Sequence, residues 1–204
     1  MERYQKVAEH KKLKSYMQSI ATSEKNRVFC RHNWEHLLAV ARIAYILALE
    51  EEIPVSKDLI YAAALLHDIG KIKIDMPDTQ ALITMNEDSV KEHTILGYKL
   101  IKDAIELPEE IALVALEHHE NNDGSGYPQG LSNDFISEYS QIINVANFYD
   151  NLAFNRTHTV VANNKEVLRT MLEVGSKKFS AKMLYTFIHM YNYDDPKDFD
   201  DMIL

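Results

Sequence analysis

The sequence predicts an all-α protein with one domain. Apolar side chains recur at the helical spacing of three to four residues along most of the chain. No segment outside short loops shows the strict alternation of a half-buried strand. Glycine and proline, which interrupt regular structure, number only 6 and 5 among 204 residues. That length is sufficient for a single domain with a sizeable core.

Each helix is predicted from its apolar periodicity and from the residues that begin or end it. Ser56 is a candidate N-cap, and Pro108 stands where a helix begins. Gly70 and Gly175 are suitable terminators. The predicted helices span residues 3–22, 33–52, 56–68, 87–105, 109–120, 136–154, 161–174 and 180–191.

One segment, residues 121–134, is strongly loop-like. It reads Asn-Asn-Asp-Gly-Ser-Gly-Tyr-Pro-Gln-Gly-Leu-Ser-Asn-Asp and carries three of the six glycines. No Gly/Ser-rich or Pro-rich linker divides the chain, and no internal repeat is present. We therefore predict a helical N-terminal extension over residues 1–27 and a single functional domain over residues 28–204.

The composition argues against several classes of protein. The 22 basic and 31 acidic residues give a net charge of −9, whereas a binder of duplex nucleic acid needs a basic surface. No apolar run approaches the roughly 20 residues that span a bilayer, and Met1–His10 lacks the apolar core of a signal peptide. The single Cys30 is compatible with a reducing compartment. We expect a cytoplasmic protein that binds neither duplex nucleic acid nor membrane.

The nine histidines are the unusual feature of the composition. Two strongly apolar helical segments each end in adjacent potential ligands, His67-Asp68 and His118-His119. A lone histidine on an apolar face is usually a hydrogen-bonded core residue, but burying so many imidazoles without partners would cost several kcal/mol. Metal coordination removes that cost, and a His/Asp set without cysteine favours an open hydrolytic site. Adjacent ligands point in different directions, so His67-Asp68 can serve two neighbouring metals.

Two motifs carry a family resemblance. The segment His67-Asp68-Ile69-Gly70-Lys71 and the longer segment His118–Pro128 resemble the HD-GYP family, a branch of the HD superfamily of metal-dependent phosphohydrolases. The resemblance runs from about His32 to about His158. It implies an HD-type helical bundle with the loop 121–134, hereafter the signature loop, beside a multinuclear metal site. It also implies two or three divalent ions and hydrolysis of cyclic di-GMP to pGpG or GMP.

The resemblance also implies roles for individual residues. Asp68 matches the ligand that bridges metals, and Lys71 matches the lysine that faces the scissile phosphate; we take both as catalytic. The implied metal ligands are His32, His36, His67, Asp68, His93, His118, His119 and Asn147. The implied substrate contacts are Lys71, Gly124, Gly126, Tyr127, Pro128 and Arg156.

The chain departs from the family pattern at several positions. Asn147 stands where the family's last metal ligand is an aspartate, so one negative charge is lost. His32 stands where family members with a third metal carry glutamate. The link 75–79 is altered, and the motif that begins at Arg156 is reduced. The altered link and the reduced motif bear on which substrate is bound, whereas Asn147 bears on whether the protein is catalytically active.

Two functions therefore stay open. The first is a hydrolase for a cyclic dinucleotide or another phosphoester, favoured by the intact His/Asp set. The second is a degenerate family member that binds a nucleotide or a protein partner without turnover, favoured by Asn147. The set of imidazoles and carboxylates suits Fe or Mn better than Mg. The Met and aromatic residues of 180–193 suit a core or a homodimer surface.

Overall fold

Seven α-helices and two 3₁₀ turns form the part of the chain that the computed structural model describes. These residues are 34–73, 87–103, 107–153 and 163–191, with a few single positions between 11 and 22. The helices are α1 (Trp34–Glu50), α2 (Lys57–Leu66), α3 (Glu87–Asp103), α4 (Glu109–Glu117), α5 (Glu138–Ala153), α6 (Asn164–Lys178) and α7 (Ala181–Met190). The 3₁₀ turns are Ile69–Lys73 and Asn133–Phe135. Within these ranges the only β-type pairing is an isolated bridge between Asp123 and Ser132, so the all-α prediction is confirmed.

Helix α2 is the central element of the bundle. Its residues Ala62–Leu66 are all buried, and three of the five are alanines. Alanine is the best helix former, and its short side chain lets neighbouring backbones approach closely. Helices α1 and α4 both pack against α2, while α5 packs on α1 and α3 packs on α4. The carboxyl end of α2 consequently lies where α1, α3 and α4 meet.

A contact between two backbones fixes α3 beside the end of α2. Gly70 lies in the first 3₁₀ turn, where a Cβ atom would come 1.9 Å from the carbonyl oxygen of His93. The same Cβ would lie 2.5 Å from the nitrogen of Gly97. No side chain fits in that space, so glycine is required by close approach rather than as a helix terminator. This contact places Asp68 next to His93.

The helices begin and end at the predicted capping and terminating residues at some positions and differ from the prediction at others. Pro108 precedes α4 as predicted, and Ser56 is the N-cap of α2 but makes no side-chain cap bond. Gly175 leaves helical geometry at φ 54° and ψ −147°, yet helical hydrogen bonding resumes after this kink and α6 ends at Lys178. The prediction that α6 stops at residue 174 was therefore wrong by one turn. The predicted helix 3–22 and the extension 1–27 lie almost entirely outside the described residues.

Helices α6 and α7 pack on one another and against α5. The ring of Tyr149 on α5 contacts Phe187 and Tyr191, with centroids 5.1 Å apart in each case. Together with the buried Met171 and Leu184, these rings extend the core beyond α5. Within the described residues, none of the helices combines the length and the apolar character needed to cross a membrane.

Candidate metal centre

One carboxylate lies at the centre of the histidine-rich part of the molecule. Asp68 lies two residues beyond the end of α2 and is 3% exposed. Its Oδ1 lies 2.7 Å from Lys71 Nζ, 3.3 Å from His93 Nε2 and 3.5 Å from His118 Nε2. Its Oδ2 lies 3.1 Å from His67 Nε2. Both oxygens of Asp68 therefore face imidazole nitrogens.

Five histidines surround this carboxylate in two overlapping groups, and in each group the ligand atoms lie within 4.8 Å of one another. The first group is Asp68, His93, His118 and His119, and the second is His36, His67 and Asp68. We call these six residues the histidine cluster. Asp68 belongs to both groups and is the residue that they share.

The cluster is assembled from four helices. His36 lies in the first turn of α1, and His93 lies on α3. His67 and His118 are the C-caps of α2 and α4, and their ring centroids are 5.0 Å apart. The two apolar segments that end in His67-Asp68 and His118-His119 thus bring these side chains together.

Backbone carbonyls fix the orientation of two of these rings. Nδ1 of His67 lies 2.7 Å from the carbonyl oxygen of Ala64. Nδ1 of His118 lies 3.1 Å from the carbonyl oxygens of both Val114 and Ala115. A carbonyl oxygen can only accept a hydrogen bond, so each Nδ1 carries the proton and each Nε2 presents a lone pair. In both residues that lone pair faces Asp68.

A carboxylate fixes the orientation of a third ring. Nδ1 of His36 lies 2.6 Å from Oδ2 of Asp150 on α5, and both side chains are buried. A carboxylate that accepts a hydrogen bond from Nδ1–H leaves Nε2 as the ligand atom and makes it more basic. Asp150 is therefore a partner of His36. Sequence reasoning missed this role, because the two residues are 114 positions apart in the chain.

Three imidazoles of the cluster, those of His36, His118 and His119, have a lowered pKa and are neutral near physiological pH. Burial lowers the pKa of His118 to about 3, and it outweighs the opposite influence of Asp68. Burial, followed by the neighbouring His118 and His93, lowers the pKa of His119. Burial also lowers the pKa of His36, although its bond to Asp150 acts in the other direction. Neutral imidazole is the form that binds metal.

These observations provide a test of whether the residues fit a metal. Nε2 of His118 is an acceptor atom that lies 3.5 Å from Oδ1 of Asp68, and a carboxylate oxygen is also an acceptor. Acceptor atoms pointed at one another repel unless a cation lies among them. Imidazole nitrogens around a carboxylate are a donor set that binds divalent transition metals. The cluster therefore fits a multinuclear divalent metal site.

The signature loop begins two residues after His119. Gly124 has the left-handed φ of 79° that favours glycine. Gly126 is required for another reason, since a Cβ there would lie 2.3 Å from the nitrogen of Asn121 and 2.5 Å from the carbonyl oxygen of His119. The loop thus folds back onto residues 119–121, the segment that carries His119.

Tyr127 joins the loop to the cluster through two contacts with His119. Its ring stacks on the imidazole, with centroids 4.7 Å apart and planes inclined by 20°. Its backbone nitrogen donates to the carbonyl oxygen of His119 at 3.2 Å. Nζ of Lys91 on α3 lies 5.7 Å from the Tyr127 centroid. One face of the Tyr127 ring is therefore covered by a candidate ligand, and Pro128 follows it with partial exposure.

Glu120 is a second residue that sequence reasoning missed. The side chain is fully buried, and its Oε1 and Oε2 accept hydrogen bonds from the backbone nitrogens of Gln129 at 2.7 Å and Leu131 at 2.9 Å. The carboxylate thereby accepts hydrogen bonds from backbone N–H groups of an irregular loop, which lacks the regular backbone hydrogen bonds of a helix or sheet. An acidic residue at the end of an apolar helix, just before a glycine-rich loop, was the available signal.

Asn147 is buried on α5, one helical turn from Asp150. Its Oδ1 accepts a hydrogen bond from Nδ2 of Asn151 at 2.9 Å. An amide oxygen has a second lone pair, so this bond leaves one acceptor position on Asn147. The assignment of Asn147 as a metal ligand stays a prediction.

Three further predictions fall outside the described residues. They concern His32 as a metal ligand, Arg156 as a substrate contact and the link 75–79.

Comparisons with known proteins agree with this geometry. The HD domain family matches residues 33–152. Over 122 residues the chain is 39% identical to the cyclic di-GMP phosphodiesterase response regulator RpfG of Xanthomonas campestris pv. campestris. This match covers 57% of this chain and 31% of RpfG. The chain is 33% identical over 137 residues to a cyclic di-GMP phosphodiesterase of Thermotoga maritima, covering 63% of this chain and 36% of the relative. The chain thus spans about a third of the length of these curated relatives.

A solved structure shares the fold. The HDG"Y"P protein Bd1817 of Bdellovibrio bacteriovorus superimposes with a TM-score of 0.62 at 21% identity, over 78% of this chain and 52% of that one. The family match covers more than half of the chain and includes all six residues of the histidine cluster. The chain therefore belongs to the HD domain family, which confirms the relationship predicted from its His-Asp and signature-loop motifs.

Proposed function

We propose that the protein is a metal-dependent phosphodiesterase that hydrolyses cyclic di-GMP to pGpG or GMP. The observation that carries this proposal is the convergence of imidazoles from four helices on the shared carboxylate of Asp68. The choice of substrate is supported by the similarity to relatives described as cyclic di-GMP phosphodiesterases.

The proposed ligands are the six residues of the histidine cluster, with Asn147 and His32 completing the set. When bound there, divalent ions would lower the pKa of a coordinated water and polarise the phosphate. Asp68 would hold the two ions at one separation, because each of its oxygens faces a different part of the cluster. We propose Fe or Mn as the metal, since a set rich in imidazole is poorly suited to Mg.

Lys71 is the proposed residue that stabilises charge on the phosphate. Its Nζ lies 2.7 Å from Oδ1 of Asp68, and the side chain is 11% exposed. A cation held against the bridging carboxylate lies within reach of the scissile phosphate and offsets the negative charge that develops there. The low exposure strengthens this effect, because water screens the charge less.

The signature loop is the proposed substrate-binding wall. Gly124, Gly126, Tyr127 and Pro128 would shape it, with Arg156 contributing a further phosphate contact. Support comes from the stacking of Tyr127 on His119, which places the loop at the edge of the cluster. A small anionic phosphoester is then the proposed ligand, and bound divalent ions would make the site positive in a protein of net charge −9. The cytoplasmic location and the homodimer expected from the sequence stay predictions.

The test is hydrolysis by the full chain after anaerobic loading with Fe²⁺ or Mn²⁺. Cyclic di-GMP, cyclic di-AMP, 3′3′-cGAMP and bis-p-nitrophenyl phosphate are compared by chromatography of the products. We expect cyclic di-GMP to be cleaved fastest and Asp68→Ala to lose metal and activity together. Asp103→Ala, an exposed position on α3, is the matched control and should behave as wild type. Wild-type activity in Asp68→Ala would overturn the bridging role.

A second function is favoured by Asn147, which gives the centre one negative charge less than the family pattern. In that case the chain would bind a cyclic dinucleotide without turnover. Calorimetry with cyclic di-GMP on metal-loaded protein separates the two functions, because a binding protein gives a stable complex and no linear product.

A further inference from the structure

The segment where α6 ends contacts the signature loop through a set of hydrogen bonds. The backbone nitrogens of Asn122 and Asp123 donate to the carbonyl oxygens of Lys178 at 3.1 Å and Lys177 at 3.0 Å. Nδ2 of Asn122 donates to the carbonyl oxygen of Ser176 at 2.7 Å. These three carbonyls follow the kink at Gly175 and lie in the last turn of α6, where a helix leaves its acceptors unused. The loop satisfies them.

The side chain of Lys178 adds a charged contact to this interface. Its Nζ donates to Oδ1 of Asn121 at 2.9 Å. The same ammonium lies 5.1 Å from the ring centroid of Phe148 on α5 and 5.8 Å from that of the buried Phe179. Two aromatic faces and an amide oxygen thus hold a half-buried cation in one place. Burial lowers the pKa of Lys178.

The contact at Asn121 continues into the loop. Nδ2 of Asn121 donates to Oγ of Ser125 at 3.0 Å, and the nitrogen of Ser125 donates to Oδ1 of Asp123 at 2.9 Å. Asn121 also lies against Gly126, the residue before the tyrosine that stacks on His119. A connected series of contacts therefore leads from Lys178 to the edge of the histidine cluster.

Little space separates the signature loop from the segment where α6 ends. A cavity of about 10 Å³, the size of a single water molecule, lies between Glu120 and Asn122 on one side and Lys178 and Phe179 on the other. Helix α6 begins beyond residue 152, where the HD family match ends. This support for the loop is therefore supplied by a part of the chain outside the matched family region.

We propose that Lys178 is a positioning residue, which holds the signature loop, and with it Tyr127, in the geometry that receives the substrate. The proposal rests on the proposed function for its substrate, cyclic di-GMP, but the loop geometry itself is tested without any substrate. Lys178 acts through Asn121 and is expected to affect binding of the substrate rather than the chemical step.

The experiment compares Lys178→Met, Lys178→Arg and Lys177→Met in the full chain. Lys177→Met is the matched control, because it removes the same charge from an exposed neighbouring side chain and leaves both backbone carbonyls. Hydrogen exchange of the peptide covering residues 120–131 is measured first. Loss of a hydrogen bond from a charged donor changes the equilibrium constant for local opening by about tenfold. We therefore expect amide exchange in this peptide to be about tenfold faster in Lys178→Met. Lys178→Arg should restore most of the protection, since guanidinium can donate to Asn121 and stack on Phe148.

Steady-state kinetics on the Mn-loaded protein are measured next. We expect Lys178→Met to raise KM for cyclic di-GMP by about tenfold, with kcat within about twofold and metal content unchanged. The proposal would be overturned if Lys178→Met exchanged at the wild-type rate or if Lys177→Met had an equal effect. Faster exchange that extends to helix α1 would also overturn it, because the effect would then not be specific to the loop. Faster loop exchange with an unchanged KM would overturn the role in substrate binding. A wild-type protein that does not cleave cyclic di-GMP would contradict the proposed function, whereas the exchange result would still decide whether Lys178 holds the loop.

Discussion

Nδ1 of His36 and Oδ2 of Asp150 lie 2.6 Å apart in the interior of the protein, although 114 positions separate the two residues in the chain. This pair connects the first turn of α1 to α5. A carboxylate in this position orients the imidazole and raises its basicity, and loss of such a partner weakens metal binding by about 10–100-fold.

Asp150→Ala is accordingly expected to weaken the binding of one metal ion by about 10–100-fold. Mn²⁺ titration followed by electron paramagnetic resonance measures the affinity. Asp150→Asn retains an oxygen that accepts from Nδ1–H and should lose less. Equal affinity in wild type and Asp150→Ala would show that His36 is not a ligand.

Asn147→Asp restores the carboxylate of the family pattern without a change in side-chain size. An aspartate can still accept the hydrogen bond from Asn151, so the fold should be preserved. We expect one ion to be held more tightly and turnover of cyclic di-GMP to increase. Elemental analysis after dialysis and a hydrolysis assay provide the measurements, and the exposed Asn164→Asp is the control. If neither quantity changes, Asn147 does not contact the metal.

Gly126→Ala tests the link between the loop and the cluster. The added Cβ would overlap the backbone of residues 119–121, so His119 must move. Overpacking of this kind costs about 1–3 kcal/mol, and we expect both lower stability and lower metal content. At Gly124 an added Cβ comes no closer than 3.3 Å to the carbonyl oxygen of Gly130. Gly124→Ala should therefore retain metal, and equal metal content in the two variants would contradict this account.

The metal-free protein should lose stability in mild acid. The pKa of His118 is lowered from 6.5 to about 3 by burial, so between these values the unfolded chain binds more protons than the folded chain. The contribution is fully present above pH 6.5 and decreases as the pH falls toward 3. Differential scanning calorimetry from pH 7.5 to pH 4.5 should show a falling Tm. His118→Asn, which cannot titrate, should show a shallower fall, and parallel curves would refute this origin.

The parts of the fold that depend on local sequence could be predicted. Apolar periodicity gave the bounds of α2 and α7 to within two residues, because each helix buries one continuous face. The adjacency of His67 and Asp68 indicated that they could serve two sites, since neighbouring residues at a helix end point in different directions. Asp68 does belong to both residue groups. Both inferences rest on contacts within one helix or at its end.

The parts that depend on distant contacts could not be predicted. The pairing of His36 with Asp150 exists because α1 packs on α5, and no spacing rule relates two such positions. The role of Glu120 depends on the path of an irregular loop, which determines which amide groups face its carboxylate. Gly175 was predicted to terminate the helix, but helical hydrogen bonding resumes after it and the helix continues to Lys178, whose carbonyl oxygen accepts from the loop.

The backbone contact between Gly70 and His93 limits how the metal centre can vary. Where two elements meet through side chains, a substitution can lengthen or shorten the spacer between them. Here the turn after Asp68 touches α3 with no side chain between them, so the separation of Asp68 and His93 has no adjustable part. Variants of this centre can change which atoms bind the metal at these two positions, but a change in their spacing requires movement of the whole of α3.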